Sequence, residues 1–490
     1  MRRIFCSLAS LALFAPAAFA AAQDTSTAAV IERIRAEATG RGQGVALFHH
    51  LTDVIGPRLT ASPAFRQAVD WAHARFQEWG LTNAHIEPFE FGRGWSLDRL
   101  TLEMTSPRYF PLIGYPEAWT PGTSGVIEAQ PVFVGDRSLD QLRAMSAQLR
   151  GAIVLTTPTQ DEFIEADRAQ PADSGERVRI GAPRSIRSQG PVPARDLNTF
   201  LQEAGAAVLL RPSMGEHGTI FVLGSRNTRS DAVPSIIVMA EHYNMLVRMT
   251  QANAAPTLRI GLGVTYHEQD TNGYNVIAEI PGTDPALRDE VVMIGAHLDS
   301  WHSSSGATDN ADGSAALMEA MRILKVIGVQ PRRTIRVALW GGEEQGLLGA
   351  RAWVEQHLAG DANAAARDNL SIYLNDDPGT GATYGFYAEE DPAARQIFDS
   401  WLEPLRADGV KKNVIDRIGS TDHLAFTQIG LPGFTTIKDY VEYDVRTHHT
   451  NVDFPERIRP QDIVQSAIVM AAVAYQAAMR AEPFPRPPAR

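Results

Sequence analysis

The second half of the chain concentrates side chains that bind cations and move protons. Within residues 295–350 stand Gly-Ala-His297-Leu-Asp299-Ser-Trp, Thr-Asp309-Asn-Ala-Asp-Gly and Leu-Trp-Gly-Gly-Glu343-Glu344-Gln-Gly. Further on, Tyr373-Leu-Asn-Asp376-Asp377-Pro-Gly adds two acids, and Thr447-His448-His449-Thr-Asn-Val-Asp453 adds imidazoles. Imidazole and carboxylate suit zinc and ions of similar hardness. A pair of such ions needs one carboxylate that bridges them and a free carboxylate to take the proton of an activated water. Each motif alone has an ordinary explanation. His-x-Asp is commonly a surface pair, Glu-Glu suits a helix N-terminus, Asp-Asp suits a turn, and His-His can be an exposed loop pair. Their joint occurrence, in loops or at the ends of apolar strands, points to one metal centre.

The elements that must position these groups are legible nearby. Glu-Val-Val-Met-Ile-Gly-Ala precedes His297 and Thr-Ile-Arg-Val-Ala-Leu-Trp precedes Glu343. Both runs are apolar and rich in β-branched residues, as strands buried on both faces of a parallel sheet are. Between them Leu317, Ala320, Met321, Leu324 and Ile327 recur at helical spacing, so the unit reads strand–loop–helix–strand. Ligands of open α/β sheets sit beyond the carboxyl ends of the strands, and His297, Asp309, Glu343 and Glu344 fall on loops leaving those ends. Upstream, residues 64–79 predict an amphipathic helix that starts at Ser62-Pro63 and stops at Gly80. His85-Ile-Glu-Pro-Phe-Glu-Phe predicts an edge strand because of Pro88. From Thr120 to about Tyr266, short strands are separated by Gly and Pro, with helices over 196–204 and 241–251. This block has few clustered His or carboxylates, so a separate β-rich domain without catalytic groups is expected there. A strand from Tyr274 and a closing helix over 463–478 complete the pattern. The expected fold is α/β: a doubly wound, mostly parallel sheet flanked by helices and interrupted by a β-rich insert.

The chain opens with Arg2 and Arg3, an apolar run over 4–14 and Ala18-Phe19-Ala20, the form of a secretory signal peptide over residues 1–22. That run is too short to cross a bilayer, and no later stretch is expected to be long and apolar enough to do so. The single cysteine, Cys6, lies inside it, so the mature protein is expected to have neither disulfide nor thiolate ligand. Export without disulfides fits a periplasmic or extracellular protein that relies on its core. A chain of 490 residues predicts about two or three domains. The expected divisions are 23–119 and 267–482 for the two parts of the main domain, 120–266 for the insert and 483–490 for a Pro-rich tail. Net charge is −12 and no basic run is longer than a pair such as Lys411-Lys412, which argues against nucleic acid or an anionic membrane as partner.

On these motifs the chain resembles the co-catalytic di-zinc exopeptidases, the family of bacterial aminopeptidases and plasma glutamate carboxypeptidase. Gly419-Ser-Thr-Asp422-His423-x-x-Phe is similar to a further family motif. Gly56-Pro-Arg-Leu-Thr is similar to the N-terminal segment of the glutamate carboxypeptidase-like branch, and the block over 120–266 resembles that branch's inserted protease-associated domain. The resemblance implies two Zn2+ ions held by His297, Asp309, Glu344, Asp377 and His449, with Asp309 as the bridge. It implies Glu343 as general base and acid, and Asp299 as the carboxylate that orients His297. The implied activity is hydrolysis of a peptide or dipeptide by zinc-activated water, as an aminopeptidase or a dipeptidase/carboxypeptidase, and a homodimer is a form found among such relatives. Three positions depart from the pattern or invite misreading. Some family aminopeptidases carry Tyr where His448 stands, which leaves the oxyanion donor open. Asp312 replaces a common Ser or Gly, and His302 reads as a loop residue and not a ligand.

Two other readings use the same fold: a single-zinc glutaminyl-cyclase-like transferase, and a catalytically inactive receptor-like binding protein. Zinc content separates them. Elemental analysis of the purified chain is expected to find about two zinc ions per chain for the hydrolase; one would indicate the cyclase and none the receptor.

Overall fold

The apolar runs before His297 and Glu343 become neighbouring strands, Val291–His297 and Thr334–Trp340, paired in parallel from Val291↔Thr334 to His297↔Trp340. The first of them also pairs in parallel with Leu370–Asn375, which in turn pairs in parallel with Gly433–Ile437. Asn272–Ile280 and Thr82–Glu90 extend one side of this sheet and Gly385–Phe386 the other, all antiparallel. The resulting seven-stranded sheet is therefore mixed, parallel at its centre and antiparallel towards both edges, where a mostly parallel sheet was expected. Hydrophobic runs carry no strand direction, so only the connections decide it. Pro88 lies in the outermost strand, where a missing N–H is tolerated. The computed structural model describes residues 26–168, 190–377 and 379–487. The expected signal segment 1–22 with Cys6, Pro378 and the last residues of the Pro-rich tail lie outside the described residues.

Helix Pro63–Glu78 starts at Ser62, whose side chain accepts from the Phe65 N–H, and it buries Phe65, Ala68, Val69, Ala72 and Phe76 along one stripe. Helix Asp312–Val326 is buried on nearly every face, because it packs on the sheet beside helix Pro460–Met479 and is also contacted by helices Gly44–His49 and Thr27–Arg41. The latter helix corrects one expectation. Its 20 residues are long and apolar enough to cross a membrane, but 78% of the apolar window is buried inside the protein. It is apolar because it closes the core.

Two further sheets lie between the first strand of the main sheet and its second. Phe110–Pro111, Gly94–Ser106, Thr257–His267 and Ile127–Ala129 form a four-stranded antiparallel sheet. Gly114–Pro116, Ser235–Val238, Val208–Pro212, Ile153–Leu155 and Val132–Phe133 form a five-stranded one, parallel apart from its first strand. Leu155, Leu210, Ile236 and Tyr243 share a core with Met104, Leu258 and Ile260, which joins the two sheets. With helices Ala194–Ala204 and Ala240–Gln251, this block is α/β in character where a β-rich one was expected. Parallel strands need crossover connections, and helix Ala194–Ala204 lies on one of them, between Ile153–Leu155 and Val208–Pro212. The change of sheet comes at Gly94, earlier than the expected boundary at Thr120, because Gly94–Ser106 pairs along its length with Thr257–His267.

Leu317 is fully buried on helix Asp312–Val326, whereas Val326 at its end is 52% exposed. Leu317→Ala is expected to lower unfolding free energy by about 2–5 kcal/mol in urea titrations. Val326→Ala is expected to stay within about 0.5 kcal/mol of the parent.

Candidate metal centre

Parallel strands deliver their following loops to one end of a sheet, and four of the expected ligands use this directly. His297 ends a central strand, Glu344 follows Thr334–Trp340, Asp377 follows Leu370–Asn375, and Asp309 stands just before helix Asp312–Val326. His449 comes from the loop beyond Gly433–Ile437. The five converge. Asp309 Oδ1 lies 3.1 Å from His297 Nε2 and Oδ2 lies 3.3 Å from His449 Nε2. Glu344 Oε2 is 2.9 Å from His449 Nε2, and Asp377 Oδ1 is 3.6 Å from His297 Nε2. One carboxylate thus faces two imidazoles, with a second carboxylate beside each.

The donor set fits a zinc site. His297 Nε2, Glu344 Oε1 and Asp377 Oδ1 are buried without a hydrogen-bond partner, an arrangement that costs free energy unless something else satisfies them. A borderline cation accepts imidazole nitrogen and carboxylate oxygen together. His297, Asp309 and Glu344 bring ligand atoms within 4.8 Å of one another, and so do Asp309, His448 and His449. Asp309 is common to both groups.

Acids outnumber cations here. Burial pushes the Glu343 carboxyl well above its ordinary range; His297 pulls it back, while Asp377, Asp422 and Glu344 push further. Burial and the charge of Asp309 raise Glu344 in the same way. Burial works against a charged His297, yet Asp377 and Glu343 hold its pKa well above the usual imidazole value. Burial opposes ionisation of Asp309, but the contact with His297 and the charge of His449 keep it below the carboxylate range. A bound divalent cation relieves this excess of negative charge.

A buried guanidinium that feels the charges of Asp453, Asp299, Asp309 and Glu344 serves backbone carbonyls beside this cluster. Arg58, fully buried, donates from Nε to Leu298 O (2.8 Å), from Nη1 to Ser305 O (2.7 Å) and Gly56 O (2.9 Å), and from Nη2 to Gly306 O (2.9 Å). It ties the Gly56-Pro-Arg-Leu-Thr segment to the loop after His297. Burial lowers its pKa to about 10, against the pull of Asp453 and Asp299.

Asp299 is placed differently from expectation. His297 Nδ1 donates to the backbone carbonyl of Asp299 at 3.0 Å, while the carboxylate stands 3.7 Å away, beyond hydrogen-bond range. That carboxylate instead accepts from Thr60 Oγ1 (2.9 Å) and the Glu343 N–H (3.2 Å), with the Glu344 N–H at 3.4 Å. Asp299 orients the imidazole through its main chain and holds the Glu343-Glu344 backbone through its side chain. Spacing alone brings both groups near Nδ1; the turn after the strand selects the carbonyl.

Several contributors carry no separate signal in the sequence. Thr421 Oγ1 donates to Asp377 Oδ2 at 2.6 Å, and the Asp453 carboxylate accepts the Thr308 and Asp309 N–H groups at 2.8 and 3.2 Å. Both belong to recognised motifs but had no assigned part. Lys438 Nζ, buried, lies 2.9 Å from Asp312 Oδ2 and 3.3 Å from Asp376 Oδ1, which accounts for the acid at position 312. His448 stacks on Tyr443 with centroids 4.9 Å apart, and burial together with His449 lowers its pKa to about 3. His302 Nε2 donates to Pro116 O at 2.7 Å, outside the cluster.

Residues 275–474 match the model of Peptidase family M28. Carboxypeptidase Q of Homo sapiens is 26% identical over 442 residues, which cover 89% of this chain and 85% of the human protein. Among solved structures, the Peptidase M28 precursor from Shewanella amazonensis SB2B superposes with a TM-score of 0.68 at 25% identity, covering 94% of this chain and 99% of that one. BSAP, a zinc aminopeptidase from Bacillus subtilis, shares the fold at 17% identity and a TM-score of 0.57, over 89% of this chain and 95% of its own.

Removing a hydrogen bond that orients a ligand commonly weakens metal binding about 10–100-fold. Thr421→Val is therefore expected to lose zinc at about tenfold lower chelator concentration than the parent, with Thr421→Ser close to the parent in the same titration.

Proposed function

We propose that the chain, whose residues 275–474 match the model of Peptidase family M28, is a zinc-dependent exopeptidase, with Asp309 as the carboxylate that would serve two zinc ions. The observation that carries this reading is the Asp309 carboxylate, one oxygen toward His297 Nε2 and the other toward His449 Nε2. Glu344 and Asp377 would supply the remaining anionic ligands, and His297 and His449 the imidazoles. When bound, the ions polarise the scissile carbonyl and bring the pKa of the attacking water toward neutrality.

Glu343 handles the proton. Its backbone N–H is anchored on Asp299, its side chain is half-buried, and its neighbour Glu344 is turned toward His449. The water oxygen bonds to the carbonyl carbon as its proton passes to the Glu343 carboxylate. The C–N bond then breaks and Glu343 returns that proton to the leaving amine. Export to the periplasm or the exterior follows from the N-terminal charge–apolar–small pattern. The block from Gly94 to His267 is the inserted unit. The likeness to carboxypeptidase Q along most of the chain makes dipeptides and peptides with a free carboxyl end the first substrates to try.

Glu343→Gln is expected to lower kcat by about 10²–10⁴-fold while the chain keeps the zinc content of the parent. Near-parental turnover would remove Glu343 from the reaction. The assay panel pairs aminoacyl reporters, N-blocked peptides and dipeptides, each with and without chelator; loss of all hydrolysis on chelation is expected.

A further inference from the structure

His449 lies well beyond the end of strand Gly433–Ile437, and its backbone is in the left-handed region at φ 60°. A non-glycine residue stays there only where its surroundings hold it. Much of that hold comes from the inserted block, on two sides. On one side the Val222 N–H donates to the His449 carbonyl at 3.1 Å, and the Ile220 N–H donates to Asn451 Oδ1 at 2.6 Å. On the other side stand Asp167 and Arg168. The Asp167 carboxylate accepts the N–H groups of Glu442 and Val445 at 2.7 and 3.0 Å. Arg168 binds the Asp444 carboxylate three times: through its backbone N–H at 2.8 Å, Nε at 2.8 Å and Nη2 at 2.6 Å.

This pair is buried, with side-chain exposures of 8% for Arg168 and 0% for Asp444. The guanidinium also lies over the rings of Tyr440 and Tyr443, 5.3 and 5.1 Å from their centroids. Tyr443 stacks on His448, whose ring centroid is 3.8 Å from that of His449. A forked guanidinium sets both the position and the direction of its carboxylate partner. The turn over 443–447 therefore cannot shift without breaking several strong bonds, and His448 and His449 ride on that turn.

We propose that Arg168 is a positioning residue for His449, and that through it the inserted block completes a metal centre whose ligands all come from the peptidase domain. The proposal rests on His449 being a zinc ligand. It gives the block a part in the chemistry although it contributes no ligand.

The test uses the full chain with Arg168→Met, Arg168→Lys and Asp444→Asn. Arg143→Ala, which removes an exposed pair with Asp140 in the same block, serves as control. Zinc retained against graded chelator, kcat and KM on a peptide substrate, and Tm are read for each. Arg168→Met is expected to release zinc at about tenfold lower chelator concentration, with kcat down about tenfold, KM little changed, and partial recovery in excess zinc. Arg168→Lys should fall between it and the parent, since an ammonium cannot form the fork. Asp444→Asn should follow Arg168→Met, and Arg143→Ala should match the parent. A merely structural pair would lower Tm while zinc release and kcat stayed within about twofold of the parent, and that result overturns the proposal. If Arg168→Met does not fold, parental zinc retention and kcat in both Arg168→Lys and Asp444→Asn overturn it equally. A parent chain that binds no zinc would instead defeat the peptidase reading. A zinc-bearing, Glu343-dependent parent with indifferent Arg168 variants defeats only the positioning role.

Discussion

Asp309 stands between two imidazoles, one at each carboxylate oxygen, and the surrounding structure is arranged to keep it there. Acids packed this closely repel one another and lose hydration, so the cluster is stable only with compensating positive charge and with donors on its spare oxygens. The protein provides the donors. Thr421 serves Asp377, and Thr60 with two backbone N–H groups serves Asp299. Asp453 does the reverse job, accepting the N–H groups that lead into Asp309. Arg58 adds one buried positive charge but spends its donors on carbonyls, so it shapes the loop around the site without neutralising any single acid.

A second tier of charge lies below the site. Lys438 joins Asp312, at the start of the helix after Asp309, to Asp376, which immediately precedes Asp377. Burial works against a charged ammonium, yet the two carboxylates hold its pKa well above the usual lysine value. The consequence is mechanical as well as electrostatic, since the segments that follow Asp309 and precede Asp377 share one counter-ion. Above the site, the inserted block grips the loop of His449 from two sides. The cluster around Asp309 is thus tied to Lys438 on one side and to the block over 94–267 on the other.

The elements leading into the site were readable because buried strands and amphipathic helices leave local patterns. The helix after Ser62, the strands before His297 and Glu343, and the helix after Asp309 all show in their hydrophobic spacing. The inserted block was less readable. Its strands are short, Gly94–Ser106 finds its partner at Thr257–His267, and neither direction nor distant pairing leaves a trace in periodicity. The apolar helix Pro460–Met479 shows the opposite limit: composition cannot distinguish a core helix from a membrane span until its neighbours are known.

By itself the sequence singled out the imidazoles and carboxylates of the candidate site, and the order in which strands and loops present them. Those properties belong to residue types and local spacing. The tertiary structure alone decided that Asp299 turns its carbonyl to His297 and its carboxylate to the Glu343-Glu344 backbone, that Lys438 links Asp312 to Asp376, and that Arg168 reaches Asp444. Each of these is a directional contact set by how separate segments pack, and a hydrogen bond can be gained or lost over less than an ångström.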